Sequence, residues 1–346
     1  LRGDIDLRGV RMADKRWDLQ FEGVRGKAQY SSDGFDAPAL QVRHQERDGM
    51  LALRAGKPVK DPAHAFEAEL SADLDAGKLL DRAPELAWLK PYVHGTSAWT
   101  VGVSLPKEQA GVRTGPPTLL TLRSDLQGTR LQLPAPLNKP AADALATTVQ
   151  AALPMGAGRI DVSFGKLMAL AARSQNGKTG VQVTMGSDTV DHEPPADGLV
   201  VNGRTPSLDA LEWISLARGG DSDGRDGGVA LKQVDVLADQ LLMVGGRFAQ
   251  TRLQLRPGAD AVAVQLDGPA LAGNLRVPTA DGGTVSGQLA RVYWQAATAA
   301  TTESSDTPAE PMNPANIPPL ALDIDDLQFA TIKLGQTRLR TRPTSD

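Results

Sequence analysis

The chain has no cysteine among its 346 residues, which excludes disulfides, thiol nucleophiles and cysteine-bound zinc. Its compartment stays open, because a cysteine-free chain suits cytoplasm and periplasm alike. Aromatic residues are scarce at 4%, so apolar surfaces must be built almost wholly from aliphatic side chains. No apolar run approaches the roughly 18 residues of a membrane-spanning helix, and the opening LRGDIDLRG is charged too early for a signal peptide. Because it starts inside an alternating pattern, the chain reads as an excised part of a longer protein. Basic charge is not in excess either: 37 Lys and Arg face 41 Asp and Glu, a formal net of −4. That balance argues against nucleic acid as a partner, which needs a broad positive field.

What the chain has is alternation. With 41% apolar residues it can bury a core, and its dominant texture is short runs of period two separated by Gly, Asp, Asn and Pro, the pattern of antiparallel strands. GVQVTMG sets Val181, Val183 and Met185 against Gln182 and Thr184. AVAVQLDG does the same with Val262, Val264 and Leu266, and LALDIDD with Leu320, Leu322 and Ile324. Each is expected to have one apolar and one solvated face.

Two segments read as helical. In residues 75–93, Leu79, Ala83, Leu86, Leu89 and Val93 share a stripe, with Pro84 able to start a second short helix and Pro91 to end it. In TPSLDALEWISLARGG, Pro206 falls near a first helical turn and Gly219 or Gly220 supplies the stop. KPAADALATTVQAALP (139–154) is alanine-rich, and propensity favours helix there, although TTVQAALP also fits a strand. GGDSDGRDGG (219–228) reads as a loop tip, and the proline-rich stretch 297–319 as a flexible excursion between QLARVYW and LALDIDD.

Motifs for chemistry are weak. NGKT (176–179) resembles the end of a phosphate-binding loop, but Ala172 stands where the first glycine should be and a strand follows instead of a helix. Asn176-Gly177 fits a hairpin turn better. Asp221, Asp223 and Asp226 have calcium-like spacing, yet Lys232 occupies the twelfth position, where an acid is needed. His44, His64, His94 and His192 are scattered, and no Gly-x-Ser-x-Gly elbow exists. Nothing here argues for an enzyme, although a hydrolase with Ser, His and Asp converging in a pocket stays an alternative; the expectation is non-enzymatic, with no cofactor and no metal. The alternating faces remain as the functional feature: the inner layer of a β-sandwich, or an apolar surface left open for acyl chains.

Several phrases, in order, carry a resemblance: ELSADLDAGKLLDRAPELAWLKPYVHGTSAWTVGVSLP, LLTLRSDLQGTRLQLPAPLNKPA, GLVVNGRTPSLDALEWISL and PPLALDIDDLQFATIKLGQTRLRT. The most specific are Ser-Asp-Leu-x-Gly followed by Leu-Pro-x-Pro-Leu-x-Lys-Pro, and Ala-Pro-Glu-Leu-Ala-Trp-Leu. From about Trp17 to Arg342 the chain resembles the C-terminal half of the large AsmA-like proteins of the YhdP family. The resemblance implies a Gram-negative envelope protein held in the inner membrane by an N-terminal anchor absent from this chain. It also implies a long, curved β-structure with an apolar groove that carries phospholipid between inner and outer membranes and supports the permeability barrier. Partners on this reading are phospholipid, the inner membrane through the anchor, and outer-membrane contacts. The resemblance further implies strands, not helix, around 146–153, 159–165 and 167–174, and makes 297–319 an insertion.

The fold expectation is therefore a mainly β, elongated, curved antiparallel sheet, one continuous unit over 1–346 with a few short helices; a β-sandwich is the alternative. The expected groove-lining residues are Leu120, Leu122, Leu131, Leu133, Val181, Val183, Val262, Val264, Leu266, Leu320, Leu322 and Ile324. Leu120 and Leu122 differ in parity from Leu131 and Leu133, which predicts a bulge or tight turn near Gly128 that returns both pairs to one side. Pro134 and Pro136, lacking donors, are expected to end pairing and blunt an exposed edge.

Overall fold

Alternation becomes strands throughout. The computed structural model describes residues 2–14, 19–44, 47–81, 89–108, 115–154, 158–213, 229–243, 245–280, 282–295 and 319–341, and among these it has 21 strands. The chain is mainly β, and nearly every strand pairs antiparallel with its neighbour in sequence. Two compact units divide it: Leu1–Gln132, Asn138–Gly180 and Asp188–Ala196 in the first, and Leu133–Leu137, Val181–Ser187 and Asp197–Asp346 in the second.

In the first unit, β1 (Arg2–Asp14), β2 (Leu19–Ser31), β3 (Gly34–His44), β4 (Arg47–Gly56) and β5 (His64–Asp75) form a meander. It continues through β6 (Val93–Pro106) and β7 (Thr118–Ser124). β8 (Thr129–Gln132) and β9 (Asn138–Lys139) make a side branch, and β10 (Thr147–Leu153), β11 (Arg159–Phe164) and β12 (Met168–Gln175) extend the sheet from β7. The strands at 147–153, 159–164 and 168–175 match the expectation from family resemblance and override alanine's helix propensity. Pairing on both sides of β10 and β11 gives their backbone groups partners that a lone helix would not need. Asn176 and Gly177 link β12 to β13 (Lys178–Met185) with φ of 52° and 74°, the geometry of a two-residue hairpin turn, as the Asn-Gly pair predicts.

Two apolar clusters lie in this unit. Phe21, Val24, Ala28, Ala37, Leu40, Val42 and Leu51 form one; Trp99, Leu126, Leu131 and Leu145, with Leu122 and Leu79 against them, form the other. The parity slip is resolved as a turn. β7 pairs along Trp99–Ser104 of β6 and β8 pairs along Val93–Gly95 of the same strand, so Leu122 faces Val101, Leu131 faces Val93, and both leucines reach one cluster. The turn needs Leu126 at φ 52° and Gly128 at φ 94°, and a Cβ on Gly128 would collide with the Thr96 carbonyl. Lys139 holds it. Its ammonium, in a residue only 6% exposed, donates to the carbonyls of Leu126 (2.9 Å), Pro140 (2.9 Å) and Asp143 (2.7 Å). Burial lowers the Lys139 pKa, against the opposing pull of Asp143 and Asp125.

Pairing along β8 ends at Gln132, just before Pro134, as expected, but β8 lies between β6 and β9, so the strand that stops there is not itself an exposed edge. Pro134 is buried, and its carbonyl accepts from Leu137 N at 3.0 Å in the loop that joins two paired strands.

The second unit runs β14 (Gly198–Asp209), β15 (Leu231–Met243), β16 (Gly246–Pro257), β17 (Ala261–Asp267), β18 (Leu271–Pro278), β19 (Val285–Trp294), β20 (Leu320–Phe329) and β21 (Ile332–Arg340), each paired with the next. Two pairings, β14 with β15 and β19 with β20, are parallel, where antiparallel order was expected. The reason bears on the proline-rich stretch. Parallel neighbours need a crossover that returns the length of the strand, roughly 33 Å for ten residues, so the connection after Trp294 is a topological requirement. All but Pro319 of the predicted excursion (297–319), the acidic loop at 219–228 and its three aspartates lie outside the described residues.

Among the described residues the two predicted helical segments are α-helical at 76–80 and 210–213, with a 3₁₀ turn at 89–92, while 82–88 and 214–220 lie outside them. Asp75 caps α1 (Ala76–Leu80), its side chain accepting from Lys78 N at 3.1 Å. Val93, placed on the helical stripe by its spacing, begins β6 opposite Leu131, while Ala83 and Leu86 lie outside the described residues. Pro206 sits inside β14, not in a first turn. Helix starts only at 210–213, where Asp209 Oδ1 accepts from Glu212 N at 3.0 Å, and the Trp213 indole there donates to the Ala135 carbonyl at 2.8 Å. Strand pairing with β15 outweighs the proline signal, since the register steps from Thr205 to Ser207 across Pro206. Gln182 corrects a further expectation: it is 5% exposed, so β13 is covered on both faces, not solvated on one.

Replacing Lys139 by Met should cost about 3 kcal/mol in denaturant unfolding, because buried carbonyls lose their donor. A loss below about 0.5 kcal/mol would show that the lysine does not hold the turn.

Candidate functional site

Register turns the alternation of single strands into continuous rows. In the first unit Leu40, Leu51, Leu70, Val101, Leu122, Val149, Val162 and Leu170 stand opposite one another in succession from β3 to β12. Beside them run Ala37, Leu53, Ala68, Val103, Leu120, Ala151, Ile160 and Ala172. Between Ala37 and Leu40 the register shifts by one residue, a bulge that keeps both on this side. All sixteen positions are aliphatic. Charge lies on the opposite face, at Glu67, Glu69, Arg123 and Asp161.

Burial along the first of these rows is graded. Leu40 and Leu51 are 1% and 4% exposed within a filled cluster. From Leu70 through Val101, Leu122, Val149 and Val162 to Leu170 the side chains are only half-buried. Among the described residues these side chains stay partly accessible, although Leu122 packs with Leu79 of α1 and Leu131 of β8 on the Trp99 cluster.

The second unit repeats the device. Val201, Val234, Leu255, Val264, Leu275, Gly287, Leu322 and Leu339 form one row from β14 to β21, and Gly203, Val236, Leu253, Leu266, Gly273, Leu289, Ile324 and Thr337 the next. A Cβ on Gly287 would sit 2.6 Å from Leu275 Cδ2 and one on Gly273 2.9 Å from Leu289 Cδ2, so neighbouring leucines already cover both glycines. Here the second row is buried at Val236, Leu253, Leu266, Leu289 and Ile324. In the first row Leu255 and Val264 are buried, while Val201, Leu275 and Leu322 are half-buried and Leu339 is 39% exposed. Ion pairs again take the other face: Arg252 with Asp235 at 2.6 Å and Arg338 with Asp323 at 2.8 Å. Hydrogen bonds from these arginines hold both carboxyls below their ordinary range.

The twelve expected residues therefore fall into distinct places. Leu120 and Leu122 lie in adjacent half-buried rows of the first unit, Leu122 against the Trp99 cluster; Val264 with Leu322, and Leu266 with Ile324, share rows in the second. Leu131 belongs to the Trp99 cluster. Leu133 and Val183 are buried and Val181 is half-buried. Val262 faces Val277, and Leu320 faces Val285. Sequence reasoning passed over Leu70, Val101, Val103, Val149, Ile160 and Val162, although HAFEAELSADLD and RIDVSF carry the same period-two signal.

Among the described residues no group of three His, Asp or Glu could hold a metal ion, and no helix is long and apolar enough to cross a membrane. His64 Nδ1 lies 2.8 Å from Glu67 Oε1, whose carboxylate also accepts from the amides of Lys60 (2.8 Å, through Oε2) and Asp61 (2.9 Å), so this pair orders the loop before β5.

The graded burial has an energetic consequence. Leu253→Ala, in the buried row, should cost about 3 kcal/mol in denaturant unfolding, whereas Leu120→Ala, on the half-open face, should cost about 1 kcal/mol because less apolar area is lost. Equal losses of about 3 kcal/mol would mean that the face around Leu120 is a sealed core.

No curated protein and no solved structure matches the chain. One family model, described as YhdP protein, matches residues 1–346, the whole of the sequence. With its mainly β, antiparallel-dominated sheets, the chain belongs to the YhdP family, whose membership suggests an AsmA-like envelope protein.

Proposed function

We propose that this chain is a non-enzymatic section of a phospholipid conduit, carrying lipid between the inner and outer membranes across the periplasm and so supporting the outer-membrane permeability barrier. The observation that carries the reading is the uncharged aliphatic face of the first unit, half-buried from Leu70 to Leu170. An acyl chain in water costs about 0.8 kcal/mol for each exposed CH₂. A face of Leu, Val, Ile and Ala offers shelter without the fixed hydrogen-bond partners that would trap a lipid at one step, and the headgroup stays in water. Attachment to the inner membrane through a preceding anchor, and contact at the outer membrane, belong to the same proposal.

A filled structural or protein-binding envelope module is the second reading, favoured by the buried row from Val236 to Ile324 and by the two closed clusters of the first unit. Magnitudes separate the two. Leu120→Asp on an open face should lower co-purifying phospholipid severalfold, measured by extraction and mass spectrometry, with a stability loss of about 2 kcal/mol. Thr121→Asp on the opposite face should leave lipid content unchanged. If the purified protein holds no phospholipid and Leu120→Asp simply unfolds it, the filled module stands.

A further inference from the structure

The polar face of the second unit has an uncharged stretch at its centre. Register sets Asp235, Gln254, Gln265, Asn274, Gln288 and Asp323 opposite one another in succession from β15 to β20. The ends of this row are engaged: Asp235 accepts from Arg252 (2.6 Å) and from the Gln254 amide (3.0 Å), and Asp323 accepts from Arg338 (2.8 Å). The middle is free. Gln265, Asn274 and Gln288 are exposed, and among the described residues their side chains have no hydrogen-bond partner. Amides bonded to one another across strands would simply brace the sheet, and these three are not. The adjoining row on this face runs Ala263, Arg276, Ser286 and Ala321. Three of those side chains are small and make a low floor beside the amides, while Arg276 stands exposed and forms no ion pair among the described residues. On the other side Asp267 lies opposite Arg252.

The chemistry of this strip selects its occupant. An amide presents donors and an acceptor in one plane, which matches the vicinal hydroxyl and acetamido groups of a sugar ring. With its carboxylates already paired and Arg276 the free cation beside the amides, the strip suits a neutral or weakly acidic chain; nucleic acid would need many phosphate contacts. Neither row holds a large apolar side chain, so the buried anchors of a protein interface are missing. Spacing agrees as well, since neighbouring strands lie about 4.8 Å apart, close to the advance of one pyranose ring along a linear β-1,4-linked glycan. We propose that Gln265, Asn274 and Gln288 bind a linear glycan laid across β17, β18 and β19, one ring to each amide. The rings rest over Ala263 and Ser286, and Arg276 meets an acidic substituent where the glycan has one. This site lies on the face opposite the apolar rows and does not depend on the conduit reading.

Calorimetric titration of the whole chain with chitohexaose, cellohexaose and hexagalacturonate tests the assignment. At least one of these should bind, and combining Gln265→Ala, Asn274→Ala and Gln288→Ala should raise its Kd about tenfold with the thermal unfolding midpoint unchanged. Gln150→Ala, which removes an exposed amide from the polar face of the first unit, should leave the Kd as it is. Failure of all three sugars to bind at millimolar concentration, or the same Kd for the triple variant and the native chain, overturns the inference. Binding of a polyglutamate peptide in place of the sugars does so too, since the strip would then be a site for acidic protein segments. Should the triple variant lose its cooperative unfolding transition, Asn274→Ala alone decides: a severalfold rise in Kd is expected, and an unchanged Kd contradicts the assignment.

Discussion

Strand register is the constraint on which the molecule depends. A side-chain period of two means that a slip of one residue sends every leucine of a strand to the opposite face. Here three slips are compensated locally. The bulge at Ala37 to Leu40, the turn at Leu126 to Gly128 and the bulge at Ala272 to Gly273 all return apolar residues to the side they left. Rows eight strands wide are the result, and the charged residues are confined to the other face, where Asp235 and Asp323 find arginine partners.

The most specific phrase in the sequence explains itself in these terms. Ser124 Oγ donates to the Ala98 carbonyl at 2.7 Å and accepts from Leu126 N at 3.0 Å; Asp125 Oδ1 accepts from Gln127 N at 2.9 Å; Gly128 N donates to the Ala141 carbonyl at 2.7 Å; Lys139 gathers three carbonyls. These bonds hold a non-glycine residue, Leu126, in a left-handed conformation while its side chain stays buried. Residues that look like a motif for chemistry hold the turn by which the chain passes from one half of β6 to the other, so that Leu122 and Leu131 reach one cluster.

Much of this was legible. Period-two alternation located the strands, Asn176-Gly177 located its turn, and the parity break at Gly128 pointed to a real change of course. What failed did so for identifiable reasons. Val93 and Pro206 were drawn into helices by spacing and local signals, which long-range pairing to β8 and β15 overrides. Parallel pairing of β19 with β20 has no local signature, so the antiparallel expectation missed it. Alternation also cannot tell an open face from a covered one: Leu120 and Leu266 look alike in sequence, yet one is half-buried and the other 2% exposed. The lysine in Asn138-Lys139-Pro140 gave no hint of burial, because its partners are backbone carbonyls that any residue could supply.

The central claim, that the aliphatic face of the first unit lies against lipid, is tested most directly by a photo-crosslinking scan along β7 in cells, with a benzophenone amino acid at each position in turn. Leu119 is a built-in control, since it is apolar and 38% exposed but points to the opposite face from Leu120. The account predicts phospholipid adducts at Leu120 and Leu122 and none at Leu119 or Thr121. Adducts that follow exposure, strongest at Leu119 and absent at Leu120, would contradict it.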